Sequence, residues 1–328
     1  MLDIILSALL PMVVTFLLGF VAARRHDFGS KDAPTLNRMV LQYAVPLALF
    51  AGTVTTSRAA LSKDIPLVIA LCAGIIGFYG VVFLFSRIVL RMQVSMSALA
   101  ALTASAPAVP FVGPAVLGDL FGGLSAIPIA LGSLVINLTV VPITILLLAL
   151  NSTEREPTEN TPAQEGKQSA PSPGSYVSVF AAKLVETVKE PIVWAPVIAF
   201  VIVLIGLHIS QVIVHSLSLL GQASGGVALF ACGIVLASGK IKVTWQILFF
   251  VFLKNVIQPA LVLGGLRWLG YGSPVVSEAV LTTAIPTMPI VIMFALQYRI
   301  AQAEAASAVF FSMMGSVVTM GVFIALTR

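Results

Sequence analysis

Long apolar runs follow one another along this sequence, and almost every charge falls in the short stretches between them. Nothing constrains the fold more, because about 20 apolar residues is the length of helix that spans a bilayer's hydrocarbon. Ten such runs can be drawn, at roughly 2–22, 34–55, 65–88, 95–120, 123–150, 191–209, 212–238, 243–266, 274–298 and 303–327. Composition agrees: of 328 residues 59% are hydrophobic and 9% charged, against about one half and one quarter in globular domains. The expected fold is an all-α integral membrane protein with ten transmembrane helices and lipid as its solvent. The net charge of +5 does not suggest a nucleic-acid partner, because Lys and Arg sit singly or in pairs at the ends of apolar runs, where they set orientation. Cys72 and Cys232 each lie inside an apolar run and read as small buried side chains. The first run opens Met1-Leu2-Asp3 with no basic residue before it, which reads as an uncleaved first helix rather than a secretion signal.

One long polar stretch interrupts the pattern. Asn151 to Ser175 is rich in Glu, Pro, Ser, Thr and Gln and has too little apolar surface to fold, so 151–176 reads as a disordered linker between halves 1–150 and 177–328. Tyr176 to Glu190 carries Val177, Phe180, Ala181, Leu184 and Val188 at helical spacing, the pattern of a short interfacial helix feeding the sixth span at Pro191. Arg24, Arg25, Lys31, Arg38, Arg87, Arg91, Arg155, Lys167, Lys183, Lys189, Lys240, Lys242 and Arg299 fall on one side of the membrane; Arg58, Lys63, Arg267 and Arg328 fall on the other. The richer side is cytoplasmic by the positive-inside rule, which puts both termini outside and the linker inside.

The chain also repeats itself. Ala48-Leu49-Phe50-Ala51 in the second span recurs as Ala228-Leu229-Phe230-Ala231 in the seventh. Leu102-Thr103-x-x-x-Pro107-x-x-Pro110 in the fourth recurs as Leu281-Thr282-x-x-x-Pro286-x-x-Pro289 in the ninth. Near-identical offsets in corresponding spans indicate a duplication. Since each copy has an odd number of spans, the second enters from the opposite face: a 5+5 inverted repeat, an arrangement typical of secondary transporters.

The paired prolines are the most informative positions. A proline removes a backbone donor and clashes with the carbonyl four residues back, so two prolines three apart break a helix in mid-span. Unpaired N–H and C=O groups persist at that depth only where protein or a water-filled cavity satisfies them. Helices four and nine are therefore expected to be broken at a polar site at the midplane, with new half-helix N-termini facing an anion; kinks that serve packing alone are the bland alternative. Pro107, Ala108, Pro110, Pro286 and Pro289 mark the breaks, and Thr103, Ser105, Thr282, Thr283 and Thr287 could supply hydroxyls there or bond their own helix. Lys254 sits deep in the eighth span, either facing the cavity or capping half-helix carbonyls. Asn137 and Asn255 suit solute contact or inter-helix bonding equally. Gln222 and Ser224 lie in a glycine-rich segment, His208 and His215 near the outer interface without an assigned role, and Asp119 and Glu278 near span ends, as interfacial carboxylates or proton-coupling groups. No metal-spaced cluster, phosphate-binding loop or nucleophile–base pair points to enzyme chemistry or to a cofactor.

At these residues the sequence resembles the auxin efflux carrier family, and within it bacterial members labelled malonate transporters. Leu36-Asn37-Arg38-Met39-Val40 through Ala44-Val45-Pro46-Leu47-Ala48-Leu49-Phe50 is similar to the family's second-helix pattern, and Lys189-Glu190-Pro191-Ile192-Val193-Trp194-Ala195-Pro196 to its entry into the sixth helix. Gly113-Pro114 and Lys254…Pro259 also match, and the resemblance covers nearly the whole chain except the linker. It implies a scaffold of helices 1, 2, 6 and 7, a transport domain of helices 3–5 and 8–10 in which the broken helices cross, elevator-like motion, a homodimer, and a bacterial inner membrane. Pro46, Gln222 and Ser224 are then contacts from the scaffold side. Many relatives carry Asn directly after the first break proline; here that residue is Ala108, with Thr287 in the repeat. The plant hormone is therefore not carried over as substrate.

The resulting expectation is secondary transport of a small organic anion, such as the dicarboxylate malonate, coupled to a proton or sodium. The rival reading is a channel or membrane sensor on the same fold, but isolated polar groups at two breaks do not make a continuous polar pore.

Overall fold

A computed structural model describes residues 2–29, 31–55, 64–152, 189–207, 209–238 and 241–327. The described residues form helices and no strand; the one extended contact is an isolated antiparallel bridge between Pro107 and Thr287. Most of the segment read as a linker, nearly all of the interfacial helix before Pro191, His208, Lys240, Arg58, Lys63 and Arg328 lie outside the described residues.

Helix α1 is Leu2–Arg24, and α2 covers 33–54 with a wide π-helical turn at Val40–Ala44. Helix α3 is Ile65–Ile88 with a second wide turn at Cys72–Gly77. The fourth apolar run forms two helices, α4 (Val94–Ser105) and α5 (Val109–Phe121). Helix α6 covers 126–152, widens at Ile136–Val140 and continues two residues into the segment read as linker. Then come α7 (Pro191–Ile205), α8 (Gln211–Ser238) and α9 (Trp245–Trp268), the last with a wide turn at Leu253–Ile257. The ninth run is again split, into α10 (Val275–Ala284) and α11 (Ile290–Gln297), and α12 is Gln302–Thr327. Among the described residues five helices, α3, α6, α8, α9 and α12, are long and apolar enough to cross a membrane unbroken. The chain is a membrane protein built from helices.

Local chemistry sets the ends. Proline opens α7 at Pro191, where a missing N–H costs nothing. Thr244 caps α9, its Oγ1 accepting from the Ile247 amide at 3.3 Å. Gly206, at φ 82°, closes α7 in a left-handed turn.

Two kinds of packing hold the helices. Helices α1 and α8 approach backbone to backbone: a Cβ added to Gly19 would lie 2.0 Å from the Phe230 carbonyl oxygen, and one added to Gly233 would lie 2.2 Å from that of Phe16. Polar bonds between helices follow a different map. Tyr79 of α3 meets Thr144 of α6 at 3.0 Å, Asn255 of α9 donates to the Ser312 carbonyl of α12 at 2.8 Å, and Ser277 of α10 donates to the Thr327 carbonyl of α12 at 2.8 Å. Among the described residues, side-chain hydrogen bonds between helices fall within the set α3–α6 and α9–α12. The exception is the weak contact from the Cys232 thiol of α8 to the Ala306 carbonyl of α12, at 3.8 Å. Apolar side chains make much of the contact between that set and α1, α2, α7 and α8, as in the stacked rings of Phe16 and Phe310, 5.1 Å apart, while Asn37, Arg38 and Gln42 of α2 and Gln297 of α11 line a small polar pocket on the same boundary.

Candidate functional site

The two breaks meet inside the protein. After Ser105 the chain turns extended at Ala106 (φ −95°, ψ 103°), passes Pro107 and Ala108, and restarts as helix at Val109. After Ala284 it turns extended at Ile285 (φ −55°, ψ 137°), as the residue before a proline must, and restarts at Ile290. The two gaps run antiparallel. The Ala108 amide donates to the Pro286 carbonyl at 2.8 Å, and the Met288 amide to the Ala106 carbonyl at 3.0 Å. Groups that the prolines released from their own helices thus find partners in the other gap.

Side chains complete the crossing. Thr287 Oγ1 donates to the Thr103 carbonyl at 2.9 Å, while the Thr287 amide donates to Ser312 Oγ at 2.9 Å. Ser312 Oγ in turn donates to Asn255 Oδ1 at 2.8 Å. Lys254, 0% exposed, donates to the Thr283 carbonyl at 2.6 Å and to Gln258 Oε1 at 2.8 Å. Of the two roles open to Lys254 in the sequence, the geometry is that of a cap on a half-helix carbonyl. The hydroxyls of Thr103, Ser105, Thr282 and Thr283 return to carbonyls of their own helices, at 2.6–3.0 Å.

The backbone donors differ from expectation. The Val109 amide donates to the Pro107 carbonyl, Phe111 and Val112 donate to Ala108, and Val291 and Ile292 donate to Met288 and Pro289. These amides at the starts of α5 and α11 close local turns instead of pointing at open space, because a proline-led start tightens onto the carbonyls just before it.

Open space lies beside the crossing. A cavity of about 740 Å³ separates α1, α2 and α8 from α5 and α6. Pro110, Phe111, Ser133 and Asn137 line one side; Leu49, Gly52, Gln211, His215, Ser218 and Gln222 line the other. Its described lining contains no Lys, Arg, Asp or Glu. Asn137 sits in the wide turn of α6, is 2% exposed, and its Oδ1 has no partner among the described residues; π-helical turns of this kind recur at functional positions. Of the residues singled out in the sequence, the cavity takes Pro110, Asn137 and Gln222. Thr103, Ser105, Pro107, Ala108, Lys254, Thr282, Thr283, Pro286, Thr287 and Pro289 build the crossing behind it, all buried. Pro46 is buried in α2, Ser224 donates to the Gly221 carbonyl at 2.6 Å, Glu278 is buried in the first turn of α10, and Asp119 is exposed.

Sequence reading missed Phe111, Ser133, Ser218 and Gln258. A signal existed for some of them: Gln211, His215, Ser218 and Gln222 recur at helical spacing, as do Ser133 and Asn137, so each set makes a polar stripe on one helix face.

Comparison with known proteins bears on this arrangement directly. The sequence profile of the family described as membrane transport protein matches residues 4–324. The chain belongs to this family, that of the auxin efflux carriers. It is 29% identical over 329 residues to the uncharacterized transporter YfdV of Escherichia coli K12, covering 100% of this chain and 99% of that one. The YfdV proteins of Escherichia coli O157:H7 and Shigella flexneri match to the same extent. As a member of the auxin efflux carrier family, the protein is a membrane transporter, and the cavity beside the crossed helices is its candidate solute site.

Proposed function

We propose that this protein is a secondary transporter of a small organic anion, with the dicarboxylate malonate as the first candidate, and that α3–α6 with α9–α12 moves as one body against α1, α2, α7 and α8. The observation that carries this reading is the map of polar bonds. Directional hydrogen bonds knit the first set together, while much of its contact with the second is apolar, with a weak thiol contact from Cys232 at 3.8 Å, and can slide without leaving many buried donors unpaired. The cavity lies on the seam between the two sets, where an elevator-like carrier would hold its cargo.

Backbone landmarks support ten spans arranged as an inverted repeat. Helix ends at Ser105 and Ala284 lie 179 positions apart. So do the left-handed residues Arg91 and Gly270, and Gly122 and Ala301. Antiparallel pairing of the two gaps is what a second copy inserted from the opposite face would produce.

Asn137 offers the anion an amide in a largely apolar enclosure, and Ser133, Ser218 and Gln222 add neutral polar groups. With the bacterial inner membrane as its setting and the basic loops cytoplasmic, the cavity's mouth at Thr55, Gln211 and His215 opens to the periplasm. Counterflow of labelled malonate into proteoliposomes loaded with unlabelled malonate tests the function. A carrier exchanges the two pools; uptake that loading does not accelerate would point to a channel, and no flux of any carboxylate in a wider panel would remove the anion reading.

A further inference from the structure

We propose that Gln258 is a positioning residue for the crossing, acting through Lys254 so that the two gaps shift together. The proposal rests on the crossing being the core of the moving unit. Its observation is a relay not visible in the sequence. Gln258 is 0% exposed, and its carboxamide makes three hydrogen bonds inside the protein. Nε2 donates to the Ser105 carbonyl at 2.8 Å, at the end of α4, and to the Gly74 carbonyl at 2.9 Å, in the wide turn of α3. Oε1 accepts from Lys254, whose other bond reaches the Thr283 carbonyl near the end of α10.

The surroundings fix the orientation of that amide. Turned over, it would set N–H groups against the N–H donors of Lys254 and its oxygen against two carbonyls. One face of α9 therefore holds the C-terminal ends of both broken half-helices. The lysine donates to one end directly, and the glutamine carries the link to the more distant end. A carboxylate, an aliphatic chain or a shorter amide at 258 cannot do this, since the position needs two donors and one acceptor in fixed directions.

A second route also joins the gaps: the backbone bonds of Ala108 with Pro286 and of Met288 with Ala106. A double-mutant cycle separates the two routes. Hydrogen exchange followed by mass spectrometry would be read at peptides spanning 102–112 and 284–292 in the purified full chain, with no solute added. Gln258→Leu should speed exchange at Thr287 and Met288 by about tenfold or more, although Gln258 bonds neither. In a Lys254→Met background the same substitution should add less than about twofold, because the relay is already cut. Unchanged exchange at Thr287 and Met288, or an equal increment in both backgrounds, would overturn the proposal in favour of the backbone pairing. If Gln258→Leu does not fold, Gln258→Asn, which shortens the amide, is read in the same way.

Counterflow supplies the second readout: the malonate KM should rise about tenfold while the saturated rate per folded molecule stays within about threefold. A lowered unfolding temperature with unchanged KM would make Gln258 structural only. Should the parent protein carry no malonate, the proposed substrate falls while the exchange result still decides the relay.

Discussion

Thr287 donates its hydroxyl to the carbonyl of Thr103, 2.9 Å away across the point where two broken helices meet. Both residues are buried, so neither group has water to fall back on. Thr287→Val keeps the shape and removes the donor, leaving the Thr103 carbonyl short of a partner at a cost of about 1–3 kcal/mol. Thermal unfolding in detergent should register the loss, and an unchanged midpoint would mean that the carbonyl finds another donor.

Lys254→Met should cost more. It strips a donor from the Thr283 carbonyl and from Gln258 Oε1 at once, two buried acceptors at about 1–3 kcal/mol each. Because Lys254 does not line the cavity, anion affinity measured calorimetrically on folded protein should fall less than stability does. A loss of binding with full stability would reverse that order and put the ammonium in direct contact with solute.

Asn137 gives the opposite pattern. Its Oδ1 has no partner among the described residues, so Asn137→Leu breaks no bond at that oxygen and should leave the solute-free protein as stable as the parent or more so. Binding should weaken by about tenfold, or about 1.4 kcal/mol. The two measurements are a thermal midpoint without solute and a malonate titration; a destabilised protein with intact affinity would contradict the assignment.

Gly225 and Phe111 touch across the seam. A Cβ at Gly225 would stand 2.4 Å from Phe111 Cδ1, so a larger residue must push the ring toward the cavity it lines. Gly225→Val should therefore arrest counterflow in a folded protein, and adding Phe111→Ala should restore at least part of it. Failure of the second substitution to help would place the block elsewhere.

Orientation can be read at two exposed glutamines. Gln211→Cys at the cavity mouth should react with an impermeant thiol reagent added to spheroplasts, and Gln297→Cys should not. Reaction at Gln297→Cys alone would invert the assignment drawn from the basic residues.

Most helix limits were legible because hydropathy and proline act locally. Ile65 and Ile88 bound α3 where the apolar run begins and ends, and Pro107 and Pro286 break helices wherever they stand. Partners were less legible. Lys254 and Gln258 are visibly four apart, but their acceptors at Gly74, Ser105 and Thr283 come from other helices, and no residue type announces a carbonyl freed by a distant break. The wide turns at Ile136–Val140 and Leu253–Ile257 were also silent, since helix widening follows from packing around the turn rather than from composition within it. The sequence pointed to the break threonines and to Asn137 as solute contacts; of these Asn137 lines the cavity, with Phe111 and Ser133 beside it.

The glycine contact between α1 and α8 also bears on how the protein is made. Gly19 fits only against the backbone at Phe230, and Gly233 only against that at Phe16. Chains emerge from the ribosome N-terminus first, so α1 enters the bilayer long before its mate exists. Its glycine face must wait against lipid tails through the synthesis of six further helices. A nascent chain stalled ahead of α8 would hold α1 in the membrane without the backbone it packs against, so that contact awaits translation of the second half.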